Sequence, residues 1–179
     1  MRKLKVDMPE LMQAMDSSEI ELHFHLDAST GEVVMVMDDA YRMVGDYLSD
    51  RESPDDQALF EAWAKEEACA EWMVEELRVA YRILTDGSER YVEVPKADSR
   101  EGYGDMEEFI ETVQDERLQN KLWRAIEGKG AFRRFKDVLF YHPAERERWF
   151  KFKDECLKRR ALEWLESLDI EVDEERPPN

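Results

Sequence analysis

Two cysteines, three histidines and no apolar run longer than Val33–Met37 stand in this 179-residue chain, and each scarcity removes a class of protein. Cys69 and Cys156 lack the CxxC spacing of zinc or redox sites and fall in strongly helical stretches. Buried free thiols are therefore expected rather than a disulfide, as suits a reducing cytoplasm. A membrane span needs roughly 18 or more apolar residues in succession, and the amino terminus reaches Asp7 and Glu10 before any signal-like apolar stretch, so no membrane association or export is expected. Catalytic signatures are also missing. There is no Gly-x-Ser-x-Gly elbow, and neither cysteine has a histidine in a recognisable pattern. Lys129 is followed by glycine, which excludes the Gly-Lys-Ser/Thr end of a phosphate-binding P-loop. No motif asks for a cofactor, and carboxylate pairs such as Asp38-Asp39 and Glu66-Glu67 are too common here to mark an acid–base site.

What the chain has in excess is negative charge. Its formal net charge is −18, against a hydrophobic share of 42% and five tryptophans that together exclude a disordered polymer. Residues 1–120 carry 31 acids and 12 bases, residues 121–160 carry 6 and 13, and residues 161–179 carry 7 and 1. An acidic body opposes general DNA binding, because nonspecific affinity comes from neutralised phosphates. Only the 121–160 block has a local surplus of cations with which to hold an anion.

Periodicity gives the fold class: α+β, predominantly helical, one domain over residues 1–172 with a small antiparallel sheet and an acidic, frayed tail at 173–179. No internal repeat and no Gly-, Ser- or Pro-rich linker divides the chain, and a domain of this length buries enough surface to need neither disulfide nor metal. A strand near Leu4 leads to a short helix with Pro9 in its first turn. Ile20, Leu22, Phe24 and Leu26 alternate with polar residues, and Ala28-Ser29-Thr30-Gly31 turns the chain into Val33–Met37, a hairpin. Helices follow over 40–48 and, as one element, over 54–84, where Leu59, Phe60, Trp63, Val74, Leu77 and Tyr81 share a face. Tyr91–Pro95 is a short strand. Asp105 with Glu108 reads as a helix start, Asp115 begins the next helix, Gly128 closes it, Gly130 opens another, and Pro143 opens a long last one.

The densest motif is Gly128-Lys129-Gly130-Ala131-Phe132-Arg133-Arg134-Phe135-Lys136-Asp137. Two readings fit it. In one, the glycines serve backbone geometry, Phe132 and Phe135 pack in the core, and the cations pair with the acidic body. In the other, the new helix presents its free N–H groups beside Lys129, Gly130, Arg133, Arg134 and Lys136, a ligand site for an acidic protein or a phosphate-bearing molecule. His23, His25 and Asp27 share one strand face with metal-ligand spacing, but no matched downstream ligand accompanies them. The histidines are expected outside or on the sheet's far face, with no metal bound, and Asp27 is expected to fix the turn with Thr30 and Gly31. The basic aromatic stretch Arg146–Lys153 offers a weaker nucleic-acid surface whose alternative is a helix interleaving cations with its own core aromatics.

The segment Gly128–Asp137 resembles the GKGAFRRFKD signature of the bacterial family UPF0158, whose function is unassigned. Leu26–Val33, Tyr91–Pro95 with Tyr103 and Met106–Phe109, Trp149 and Glu163-Trp164-Leu165 extend the resemblance over most of the chain. It implies no reaction, cofactor or catalytic residue. The expected function is a non-enzymatic cytoplasmic binding or adaptor module. The alternatives are an enzyme acting on a phosphorylated small molecule and an acidic nucleic-acid mimic that occupies a basic protein. Oligomeric state has no signal in the sequence.

Overall fold

A computed structural model describes residues 2–50, 56–68 and 70–173. Pro54, Cys69 and residues 174–179, for which the sequence suggested a helix start, a buried thiol and a frayed tail, lie outside them. The order is β1 (Arg2–Leu4), α1 (Met8–Asp16), β2 (Leu22–Asp27), β3 (Val33–Met37), α2 (Asp38–Ser49), α3 (Gln57–Glu67), α4 (Glu71–Thr85), β4 (Tyr91–Glu93), α5 (Ser99–Glu111), α6 (Glu116–Ile126), α7 (Ala131–Phe140), α8 (Pro143–Ser167) and β5 (Ile170–Val172). The fold is α+β and mainly helical, with an antiparallel sheet in the order β3-β2-β4 and a separate parallel pair of β1 with β5. The β1–β5 pairing was not foreseen. Asp169 takes the left-handed conformation at φ 59 and turns the chain into three residues, too few to show a period.

The hairpin register places Leu22, Phe24 and Leu26 opposite Met37, Met35 and Val33, and His23 and His25 opposite Val36 and Val34. A strand sends alternate side chains to opposite faces, and here both faces are covered. Leu26 and Val33 join Leu11, Met15, Leu157, Leu165 and Ile170 in one hydrophobic cluster, while Val36 joins Val44, Phe60, Leu77 and Tyr81 in another. The histidine face is therefore not a solvent face, as alternation had suggested. His25 is 4% exposed, and both imidazoles stack on Tyr41 of α2, His23 at 4.7 Å and His25 at 5.9 Å between ring centroids.

Two helix boundaries also differ from expectation. The single helix expected to run to residue 84 is broken at Ala68, whose backbone is extended (φ −70, ψ 124), and Ala70 is extended too. Folding α3 back on α4 stacks Phe60 on Tyr81 at 3.9 Å and sets Arg78 on the Glu61 carboxylate with hydrogen bonds of 2.7–3.2 Å. In one straight helix those rings would stand about 30 Å apart. Asp105 is not a helix start. Asp98 caps α5 in a capping box with Glu101, and Asp105 lies buried in mid-helix, where Arg160 of α8 binds its carboxylate. A buried carboxylate needs such a partner. Asp115 does cap α6, accepting from the N–H groups of Arg117 and Leu118, and Pro143 occupies the first turn of α8. Met106, Phe109, Leu122, Ile126, Phe135, Leu139 and Trp149 fill a third cluster among α5, α6, α7 and α8.

Candidate functional site

The α6–α7 junction turns on two glycines. Gly128 and Gly130 have φ of 74 and 79, a region that costs other residues about 1–2 kcal/mol. With one residue between them they reverse the chain so that α7 starts beside the end of α6. That end exposes carbonyls with no partner inside the helix, and Arg134 reaches back to them. Its Nε donates to the Ala125 carbonyl at 2.9 Å and its Nη groups to the carbonyls of Lys129, Glu127 and Gly128. Tyr103 of α5 donates its hydroxyl to the Ile126 carbonyl at 3.1 Å. One guanidinium and one phenol thus close the carboxyl end of α6, where a cation also meets the negative end of the helix dipole.

The other residues of the motif divide between core and surface. Ala131 and Phe135 are buried. Phe132, which the structural reading placed in the core, is 41% exposed and leans on α5 at Gly102. A Cβ on Gly102 would stand 3.1 Å from the Phe132 ring, so the absence of a side chain there is what lets the ring settle. Lys129, Arg133 and Lys136 are exposed. Arg133 has its nearest carboxylate, that of Asp137, at 4.0 Å, with both side chains mostly in water. Gly130 supplies the N-cap position, and no side chain there accepts from the first-turn N–H groups of α7. Of the five residues singled out from sequence, all are exposed, and Arg134 alone turns its side chain back to the backbone carbonyls of the junction.

Aromatic residues extend this surface. Phe140 and Tyr141, at the carboxyl end of α7, are 63% and 79% exposed. Phe132, Lys136 and Phe140 follow one another at intervals of four along the helix, and the Arg146 guanidinium lies 6.0 Å from the Phe140 ring. The sequence reading passed over Phe140 and Tyr141, although their position just before His142-Pro143 marks a corner. The stretch 146–153 lies within α8 and divides its side chains, with Phe150 53% exposed. Trp149 is buried, Arg148 binds Glu145 and donates to Thr112 Oγ1 at 2.8 Å, and Lys153 binds Asp16 of α1 at 2.6 Å.

The two histidines differ in their hydrogen-bond partners. The His23 Nε2 lies 2.9 Å from Asp38 Oδ1, whereas the buried His25 Nδ1 has no hydrogen-bond partner. Burial pushes the His25 pKa below its ordinary 6.5 despite the opposing field of Glu93. Among the described residues no three His, Cys, Asp or Glu side chains are grouped to hold a metal, and no helix is long and apolar enough to cross a membrane. Asp27 accepts from the N–H and hydroxyl of Ser29, and its carbonyl accepts from the N–H groups of Thr30 and Gly31. Its main partner is one that spacing gave no sign of. The Arg90 guanidinium grips both carboxylate oxygens and holds the Asp27 pKa far below the usual carboxylate range.

The family model for the uncharacterised protein family UPF0158 matches residues 68–176. The chain belongs to this family. A UPF0158 protein of Pseudomonas aeruginosa is 23% identical over 96% of this chain and 88% of its own length. UPF0158 proteins of Chlamydia pneumoniae and Chlamydia muridarum are 34% and 32% identical over 51% of this chain and 28% of theirs, so the chain matches only a minor part of those longer relatives. No solved structure matches it.

Proposed function

We propose that the protein is a non-enzymatic binding module that holds an acidic or phosphate-bearing partner on the outer face of the α6–α7 turn. The observation that carries this reading is the division of labour among the cations of the motif. Among these cations Arg134 has its guanidinium taken up by the backbone carbonyls of the junction, while the exposed Lys129, Arg133 and Lys136 have no such engagement beside the uncapped start of α7. Helix N–H groups give direction to an anion and the side chains supply charge. Phe132 and Phe140 add apolar contact on the same helix, which suits a protein surface better than a closed substrate pocket. Clefts elsewhere in the molecule, such as the one between Arg160, Trp164 and Lys96, are lined by other residues.

The test is thermal denaturation with increasing inorganic phosphate, for the native chain and for a Lys129→Gln, Arg133→Gln, Lys136→Gln variant. A site of this kind stabilises the fold by about 2.7 kcal/mol at a ligand concentration 100 times its dissociation constant. The native chain should gain stability with phosphate and the variant should not, while both melt alike in its absence. An equal response from both places the anion elsewhere and rejects this surface.

A further inference from the structure

The antiparallel sheet has two edges, and they are protected unequally. β4 is three residues long and soon meets Pro95, a residue that cannot donate to a ladder. The β3 edge has no such device: Val33-Val34-Met35-Val36-Met37 contains no proline, lysine or other charge. The Asp27 N–H donates to the Glu32 carbonyl and the Asp38 N–H to the Glu21 carbonyl. In an antiparallel ladder hydrogen-bonded pairs recur at every second residue, so Val34 and Val36 face β2 with their backbone groups. Val33, Met35 and Met37 direct theirs outward. The Met37 N–H meets Glu76 Oε2 at 3.4 Å, and Met35 has no backbone partner on that side among the described residues. Met35 and Met37 are 45% and 40% exposed, which sets two apolar side chains beside the open backbone groups of Met35.

Charge selects the occupant. Glu32 stands at one end of the strand, and Glu21, Asp38 and Glu76 stand at the other. The nearby Arg42 is already set against Asp38 at 3.1 Å and Asp39 at 2.6 Å, Arg90, which lines one cleft with Glu32, Val34 and Arg82, is held by Asp27, and Lys5 approaches the hairpin turn with its backbone. A second copy of the chain paired edge to edge would bring these acids against themselves. We infer that the β3 edge is a docking site for an extended segment of another protein, with an apolar centre and basic flanks, which adds a fourth strand beside Met35. Main-chain hydrogen bonds would hold the segment, Met35 and Met37 would contact its apolar side chains, and the acidic ends would fix its flanking cations. This inference is independent of the α7 surface.

The probe is a synthetic peptide of about eight residues, alternating valine and threonine between paired lysines, titrated into the full chain with the Met35 backbone amide followed by NMR. Binding should shift and protect that amide. Methylating the central peptide nitrogen, or introducing Met35→Pro, should weaken binding by about tenfold or more, and glutamate flanks in place of lysine should abolish it. The methylated peptide removes the reciprocal bond, from its own N–H to the Met35 carbonyl, on the unaltered protein, so the test stands even if Met35→Pro disturbs the fold. No binding of the lysine-flanked peptide, equal binding of the glutamate-flanked one, or indifference to methylation each overturns the proposal. So does a concentration-dependent dimer that dissociates on Met35→Pro, which would make the occupant a second copy.

Discussion

Replacing Arg134 with glutamine should cost the protein about 2 kcal/mol. Arg134 makes one part-buried hydrogen bond, from Nε to the Ala125 carbonyl at 2.9 Å, and further bonds to the exposed carbonyls of Glu127, Gly128 and Lys129. A charged donor to a partly buried acceptor contributes about 1–2 kcal/mol net. The exposed carbonyls exchange guanidinium for water and add only a few tenths, and the cation at the carboxyl end of α6 contributes about 0.3–1 kcal/mol through the dipole. For a chain of this length the sum lowers the melting temperature by about 4–8 °C. Arg133→Gln is the control: the residue is adjacent and of the same type, but it points outward with only a distant Asp137 for company, and its loss should stay within about 0.5 kcal/mol. Arg134→Lys keeps the charge and loses the fork, so it should recover less than half of the deficit. Differential scanning calorimetry on the three variants decides the matter. Equal melting temperatures for Arg133→Gln and Arg134→Gln would refute the capping role.

Two further outcomes follow from backbone geometry and burial. Gly31→Ala should destabilise far more than Gly128→Ala in urea titrations. Both sites have positive φ, but a Cβ at Gly31 would collide with the Lys5 carbonyl oxygen while nothing lies within 4 Å of one at Gly128, so the second change carries only the conformational cost of about 1–2 kcal/mol. His25, held neutral by burial, binds its proton more readily in the unfolded chain. Its contribution is therefore complete above its ordinary pKa of 6.5 and is lost as pH falls from there toward the lowered folded value. Denaturant midpoints measured from pH 7.5 downward should decline over that window, and His25→Phe should flatten that part of the curve; an unchanged slope would show that another group is responsible.

How much of this was legible in the sequence depended on how local the cause was. The hairpin, the Asp115 cap, the Gly130 helix start and the Pro143 entry rest on residues that act on their own neighbours, and each stands where pattern placed it. The fate of His25 did not follow from the alternation around it. Period-two spacing separates two faces of β2, but only the return of α2, α3 and α4 over the sheet decides that the histidine face is closed. The break at Ala68–Ala70 lacks glycine or proline, and its reason is the pairing of Phe60 with Tyr81 across the bend. Asp105 carries a helix-start pattern as good as that of Asp98, and what distinguishes them is Arg160, 55 residues away. The signature motif showed its glycines and cations plainly. That one arginine serves four carbonyls while its neighbours face solvent emerges only from the left-handed turn that brings α7 against the end of α6.

The parallel pairing of β1 with β5 governs when the fold can be completed during synthesis. Arg2–Leu4 leave the ribosome well before their hydrogen-bonding partners at Ile170–Val172, from which most of the fold separates them in sequence. At about 5–20 residues per second the wait is roughly ten to thirty seconds. Throughout it the apolar side of α1, with Leu11, Ala14 and Met15, lacks Leu157, Ala161, Leu165 and Ile170, the residues that cover it in the finished molecule. The layer of β1 and α1 is thus made early and closed late, and in a nascent chain it is a segment that a chaperone would find open for long.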